Sequence, residues 1–188
     1  MNRAQQKFGE PDAFIKGKVR TVMDAVMQEF IAQSSFVVLA TSNAAGDCDA
    51  SPKGGQPGFI KVLDEKTLLI PDIAGNKLFN SYENIESNPK AGLIFMIPGC
   101  GLTVRVNGRV RVVNKDEKEA GGIALEVFSP DDNARILQGL VLEVDEAYPH
   151  CPRAFKFSRL WDQEIILQNS AVNSDRHWYK KWAQIAEK

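Results

Sequence analysis

Residues 102–113 read LTVRVNGRVRVV, and this stretch decides the fold class. Leucine and valines occupy the even positions apart from Gly108, while polar residues, including three arginines, occupy the odd positions from 103 to 111. This alternation predicts a β-strand with one buried and one basic face. Gly108 interrupts the valines and predicts a β-bulge or bend. A long half-buried strand needs neighbouring strands, so we expect a mainly β protein.

The sequence on either side carries further strand-like runs with turn residues between them. They are CDASP (48–52), FIKVL (59–63), TLLIP (67–71), the longer SFVVLATS (35–42) and AGLIFMIP (91–98), and ARILQGLVLEVDEAY (134–148). Residues 35–71 are interpreted as a β-meander. Short strands without βαβ alternation favour a closed or partly closed antiparallel barrel with peripheral helices.

Helical periodicity interrupts or flanks these strands in three places. Apolar side chains recur at helical spacing in an N-terminal segment, about 18–34, and again in 76–87, which ends at Asn88-Pro89. The C-terminal tail, about 174–187, is also predicted to be helical. A chain of 188 residues without a linker-like stretch predicts a single domain over 1–188.

Composition excludes several classes of function. Lys and Arg total 23 against 24 Asp and Glu, giving a formal net charge of −1, so no bulk attraction to nucleic acid is expected. We find no apolar segment long enough for a signal peptide or a membrane span, and therefore expect a cytoplasmic protein without a membrane partner. Three cysteines and two histidines, none in a ligand-like spacing, predict no metal site.

Two loops carry residues suited to an anion. SPKGGQPG (51–58) combines Ser51 and Lys53 with glycines that let a backbone approach a ligand, and IAGNK (73–77) places Asn76 and Lys77 before a predicted helix. Taken alone, a loop of either kind is more often an ordinary turn or helix cap than an anion site. Because both follow neighbouring strands, we expect them to face one phosphate.

A third cluster, residues 153–161, combines basic and aromatic side chains that suit either ligand stacking or a subunit interface. No nucleophile lies beside a matching base, and no catalytic residue is assigned. An enzyme built this way needs a cofactor for difficult chemistry.

These motifs together resemble the flavin-binding split-barrel family typified by pyridoxamine 5′-phosphate oxidase, and most closely its related FMN-dependent branch. The resemblance extends over roughly residues 20–162. Its most specific parts are SPKG, the PD-x-x-G-N-K turn followed by a helix that ends at Asn-Pro, RVNGRV and HCPRAFKFSRLW.

The resemblance implies a Greek-key antiparallel split barrel that forms a homodimer, with FMN at the interface and hydride or electron transfer through flavin N5. Ser51 and Lys53 would lie beside the phosphate or ribityl chain, and Asn76 with Lys77 would complete that cradle.

The remaining positions implied by the resemblance surround the flavin ring. Ile70 and Pro71 would present backbone groups to the isoalloxazine edge, and Thr103 would face its pyrimidine end. Arg153 and Trp161 would reach the cofactor from the partner subunit.

One departure separates the chain from the family's namesake. That enzyme binds its vitamin phosphate through a C-terminal Arg-Leu-His, whereas Arg159-Leu160-Trp161 stands here. We therefore expect an FMN-dependent oxidoreductase of unknown substrate rather than pyridoxamine phosphate oxidation. Two alternatives stay open: a non-catalytic flavin- or haem-binding module that stores or senses its ligand, and a reductase dependent on the deazaflavin F420.

Overall fold

The computed structural model describes residues 2–73, 78–114, 127–132 and 134–186. Seven strands and seven helices are assigned there. The strands are β1 (Phe36–Ser42), β2 (Cys48–Gly54), β3 (Lys61–Asp64), β4 (Thr67–Ile73), β5 (Lys90–Met96), β6 (Thr103–Val113) and β7 (Ile136–His150). The helices are α1 (Arg3–Phe8), α2 (Ala13–Lys16), α3 (Ala25–Gln33), α4 (Asn80–Ser87), α5 (Arg153–Ser158), α6 (Gln163–Val172) and α7 (Asp175–Ala186).

The strands form one antiparallel sheet in the order β2-β1-β5-β6-β7-β4-β3. Residues 35–71 are therefore not one meander, as the sequence suggested. The hairpins β1–β2 and β3–β4 lie at opposite ends of the sheet, because β5, β6 and β7 come between them. The two hairpins are separated by the pairing of β1 with β5 and of β4 with β7, which joins residues far apart in the sequence. The pattern within residues 35–71 alone does not predict this pairing.

The sheet curls until its β2 end meets β4. The two strands share no backbone ladder, yet side chains from β2 and β4 come within hydrogen-bonding distance. A curled antiparallel sheet left open along one seam is the split barrel that the resemblance predicts, with peripheral helices as expected. This seam positions the candidate site described below.

Strand β6 has the predicted bulge and, from Val104 to Val110, the predicted alternation, whereas Leu102 and Val112 are exposed and Val113 is buried. Val104, Val106 and Val110 are buried in the barrel core, and the register against β7 shifts between Asn107 and Gly108. Arg109 and Arg111, on the opposite face, are exposed. The basic face of the strand therefore lies outside the barrel.

The N-terminal helix is shorter than the predicted 18–34 segment. Helix α3 begins at Ala25 because the Asp24 carboxylate accepts a hydrogen bond from the Met27 amide at 2.9 Å and caps the helix. Upstream, Arg20 forms an isolated bridge with Ala147 near the end of β7, and residues 21–24 are not helical. Met23 from this segment is fully buried.

Helix α4 ends before Pro89 as predicted but begins at Asn80, not at residue 76. It packs across β1 and β2, where the Asn84 side-chain amide donates to the Thr41 hydroxyl at 3.0 Å. Helix α7 occupies Asp175–Ala186 within the predicted C-terminal tail, and α5 and α6 have no buried side chain.

The bulge in β6 generates a stability prediction. A Cβ added to Gly108 would lie 2.0 Å from the Glu143 carbonyl oxygen of β7, so Gly108→Ala must separate the two central strands. We expect it to lower the free energy of unfolding by about 3 kcal/mol, measured by urea denaturation. Gly54→Ala is the control, since its Cβ would meet nothing closer than 3.5 Å. Equal stability of the two variants would contradict this account.

Candidate functional site

A cleft opens along the seam of the barrel, between β2, the end of β4 and the start of α4. It encloses about 240 Å³, and an adjoining hollow of about 330 Å³ shares its floor. Both are lined by Ser51, Pro52 and Lys53 of β2 and by Ile73 of β4. The pairing of β3 with β4 ends at Lys61 and Leu69, so the last residues of β4 face this cleft.

An ion pair crosses the floor of the cleft. The Lys53 ammonium lies 3.0 Å from Oδ1 of Asp72 and donates a hydrogen bond to it. Asp72 is only 4% exposed and the Lys53 side chain 22%. Because water is largely excluded, Lys53 is the cation that makes burial of this carboxylate tolerable. The pair also joins β2 to β4 where no backbone hydrogen bonds do.

Tyr82 of α4 lines the same cleft beside Asp72. Its hydroxyl is buried without a well-formed hydrogen bond among the described residues. Burial, with the neighbouring Asp72 charge, raises the pKa of this phenol above its ordinary value. Tyr82 therefore stays neutral at physiological pH and has an O–H group to offer to a ligand in the cleft.

A second carboxylate stands at the rim. Asp49 of β2 accepts a hydrogen bond from the Ser81 hydroxyl at 2.8 Å, which fixes the start of α4 against β2. The charged side chains among the described residues that line the two hollows are thus Lys53, Asp49 and Asp72. This part of the cleft carries one positive charge and two negative ones.

The structure brings together three of the nine site residues predicted from the sequence. Ser51, Lys53 and Pro71 line the adjoining hollow. Ile70 precedes Pro71 on β4, but its side chain is buried in the barrel core, so only its backbone is available to a ligand. These four positions stay predictions for cofactor contacts.

Three other predicted residues do not line the cleft. Thr103 begins β6 and lies in the same row as Gly54 of β2, through Met96 and Phe36, three strand spacings or about 14 Å across the sheet. Trp161 donates its indole N–H to the Cys100 carbonyl near Thr103, and Arg153 stacks over Phe157. Thr103, Arg153 and Trp161 therefore stay predictions for cofactor contacts and are not among the residues that line the two hollows.

Asn76 and Lys77 lie outside the described residues. Helix α4 begins at Asn80, after Phe79 in a left-handed conformation. The expectation that Asn76 and Lys77 complete the phosphate cradle stays a prediction.

Sequence reasoning missed Asp72 and Tyr82. Asp72 is the acidic residue of the PD-x-x-G-N-K turn, but its burial follows from the β4–β7 pairing, which sequence alone did not reveal. Tyr82 was visible only as an apolar position of a helix.

The described residues contain no cluster of three or more potential metal-binding side chains, and none of their helices is long and apolar enough to span a membrane.

Comparison with known proteins identifies relatives of this barrel. The family model for pyridoxamine 5′-phosphate oxidase matches residues 23–151, which contain the whole sheet but not α5, α6 or α7. No curated protein matches the sequence at a significant level.

Three solved structures are similar at low identity. A proposed pyridoxamine 5′-phosphate oxidase from Lactobacillus delbrueckii is 22% identical, over 69% of this chain and 95% of that one, with a TM-score of 0.49. An FMN-binding protein from Syntrophomonas wolfei is 12% identical over 66% and 88%, with a TM-score of 0.48. HupZ from Group A Streptococcus is 17% identical over 66% and 91%, with a TM-score of 0.47. Similarity at this level carries no inference about activity.

The ion pair on the cleft floor generates a second stability prediction. Lys53→Met leaves the buried Asp72 carboxylate without its cation and is expected to lower the free energy of unfolding by about 2 kcal/mol, measured by chemical denaturation. Lys90→Met is the control, because Lys90 pairs with Asp145 at an exposed site and should cost less than about 1 kcal/mol. The double variant Lys53→Met, Asp72→Asn should recover part of the loss. Equal losses for Lys53→Met and Lys90→Met would show that Asp72 does not depend on Lys53.

Proposed function

This chain belongs to the pyridoxamine 5′-phosphate oxidase family, and on that premise we propose that it is an FMN-dependent oxidoreductase that binds FMN in the cleft between β2, β4 and α4. The observation that carries the proposal is the juxtaposition of Ser51, Lys53 and Pro71 in one cleft. The proposal leaves the substrate open.

The chemistry of the cleft fits a mononucleotide with a polar tail and an apolar ring. One end offers the Ser51 hydroxyl, the Lys53 ammonium and the orphaned buried hydroxyl of Tyr82, which suit the oxygens of a ribityl phosphate. The other end is formed by Phe59, Pro71 and Ile73, which suit a flat aromatic ring.

The roles of the chain's own residues follow from this arrangement. Lys53 and Ser51 would bind the phosphate or ribityl oxygens, and Tyr82 would donate a hydrogen bond from a neutral hydroxyl. Pro71 and the backbone of Ile70 would orient the ring edge, while the apolar wall excludes water from it. FMN, when bound, supplies a centre that accepts or donates a hydride, so no side chain needs to act as a covalent catalyst.

We also propose that the active form is a homodimer with FMN at the interface. Thr103, Arg153 and Trp161 do not line the cleft of their own chain, and a second copy could supply them. An apolar outer sheet face that includes Phe36, 38% exposed, is available for such contact.

Pyridoxamine phosphate is not proposed as the substrate. Arg159 forms an ion pair with Asp162 at 2.7 Å, and Trp161 is hydrogen-bonded to Cys100 and stacked on Phe155. Arg159 and Trp161, which stand where the namesake's motif has Arg and His, thus both form contacts within their own chain.

The cofactor proposal is tested by titrating apo-protein with FMN and following the quenching of flavin fluorescence. We expect saturable binding and a yellow complex. Lys77→Ala should weaken binding by about tenfold or more, the effect of losing one charge-assisted hydrogen bond of about 1.5–3 kcal/mol. Lys90→Ala is the matched control outside the cleft.

The outcomes separate the hypotheses. Failure of the wild-type protein to bind FMN would refute the cofactor proposal, and parallel titration with F420 would show whether a deazaflavin binds instead. Unchanged affinity of Lys77→Ala would refute the expectation that Lys77 completes the phosphate cradle. Bound FMN that NADH and NADPH cannot reduce would favour the non-catalytic module.

The dimer proposal is tested by size-exclusion chromatography with light scattering. We expect a mass of about twice the 20.8 kDa chain. Phe36→Glu should shift the protein toward monomer and weaken FMN binding, because it introduces a charge into the proposed interface. Phe8→Glu, at a 78% exposed position on α1, should leave both unchanged. A monomer that retains FMN would refute the shared site.

A further inference from the structure

One group on the cleft floor, the Asp72 carboxylate, opposes the negative charge of the proposed ligand. A phosphate dianion placed beside Lys53 also approaches Asp72, whose carboxylate lies 3.0 Å from the same ammonium. Since Asp72 is nearly fully buried, water does little to screen this repulsion. The lysine that attracts the ligand is thus already neutralised by a carboxylate that repels it.

We infer that the carboxylates of the cleft, Asp72 above all, determine how much negative charge its ligand can carry. This inference rests on the proposed function and concerns specificity at the same site. Asp72 holds Lys53 at the seam and limits the gain in affinity from each added negative charge. The cleft would therefore accept a monophosphate and disfavour polyanionic ligands.

The groups that face Asp72 from the packed elements support this role. Lys53 approaches it from β2 and the neutral Tyr82 from α4, while Gln138 of β7 stands opposite it in the β4–β7 ladder. Of these three, only Lys53 carries a positive charge. A phosphate that shares Lys53 therefore weakens the compensation of Asp72.

Asp49 adds a smaller effect in the same direction. Its carboxylate also lines the cleft, but a hydrogen bond from Ser81 stabilises it, and it is not among the buried residues. Removing its charge should therefore change the affinity for anions less than removing that of Asp72. We therefore expect a larger gain in anion affinity for Asp72→Asn than for Asp49→Asn. A simple effect of net charge would give the two variants equal gains.

The test compares dissociation constants of FMN and riboflavin, which differ by the phosphate, for wild-type protein, Asp72→Asn and Asp145→Asn. Asp72→Asn should tighten FMN binding about tenfold and change riboflavin binding less than twofold. Asp145→Asn is the matched control: it makes the same change in net charge at an exposed site and should alter neither constant. Inorganic phosphate, followed by ³¹P NMR line broadening, is the flavin-independent probe and should also bind Asp72→Asn more tightly.

Each outcome bears on a stated claim. An unchanged ratio of FMN to riboflavin affinity in Asp72→Asn, with FMN bound normally, would overturn the inference and leave the proposed function intact. If wild-type protein binds neither flavin but Asp72→Asn gains affinity for phosphate, the inference about Asp72 stands and the cofactor proposal fails. If Asp72→Asn changes the affinity for no ligand, the inference about Asp72 fails. Should Asp72→Asn not fold, as judged by circular dichroism, Asp49→Asn decides: a gain in phosphate affinity supports the inference, and no gain refutes it.

Discussion

The pairing of β6 with β7 is the interaction on which the rest of the fold depends. These are the two longest strands, and they lie next to each other in the middle of the sheet. Strands β5, β1 and β2 continue the sheet beyond β6, and strands β4 and β3 continue it beyond β7. The register shift at Gly108 brings the two backbones so close that no side chain fits between them. The bend that follows from such a bulge helps the sheet to curl until β2 meets β4. The cleft exists because of that curvature.

The seam between β2 and β4 shows how folding and binding are coupled in this molecule. Strands β2 and β4 are not paired by backbone hydrogen bonds, and the ion pair of Lys53 with Asp72 supplies a polar link between them. The same lysine is the cation proposed to meet the ligand. Because Lys53 stabilises the ligand-free protein through the Asp72 carboxylate, this ion pair must weaken when Lys53 binds an anion. The affinity for the anion therefore depends on the same ion pair as the stability of the fold.

The sequence allowed the fold class to be predicted because that depends on local patterns. The alternation in residues 102–113 and the Gly108 interruption correctly predicted β6 and its bulge, and Pro89 correctly placed the end of α4. The order of strands was not predictable from such patterns, since the separation of the two hairpins depends on pairings between distant residues. The start of α3 was misplaced because the apolar spacing before Asp24 resembles a helix, although Arg20 joins the sheet instead.

For the site, the sequence identified residue types but not their partners. Ser51, Lys53 and Pro71 do lie together, whereas the importance of Asp72 depends on burial that only the β4–β7 register reveals. The Ser-Pro-Lys triplet also has a consequence unrelated to ligands. Strand β2 is the last strand at its end of the sheet, where unpaired backbone groups could recruit another chain into aggregates. Pro52 cannot donate a backbone hydrogen bond and Lys53 places a charge there, so the segment proposed to hold the ligand also protects the barrel's free edge from edge-to-edge polymerisation.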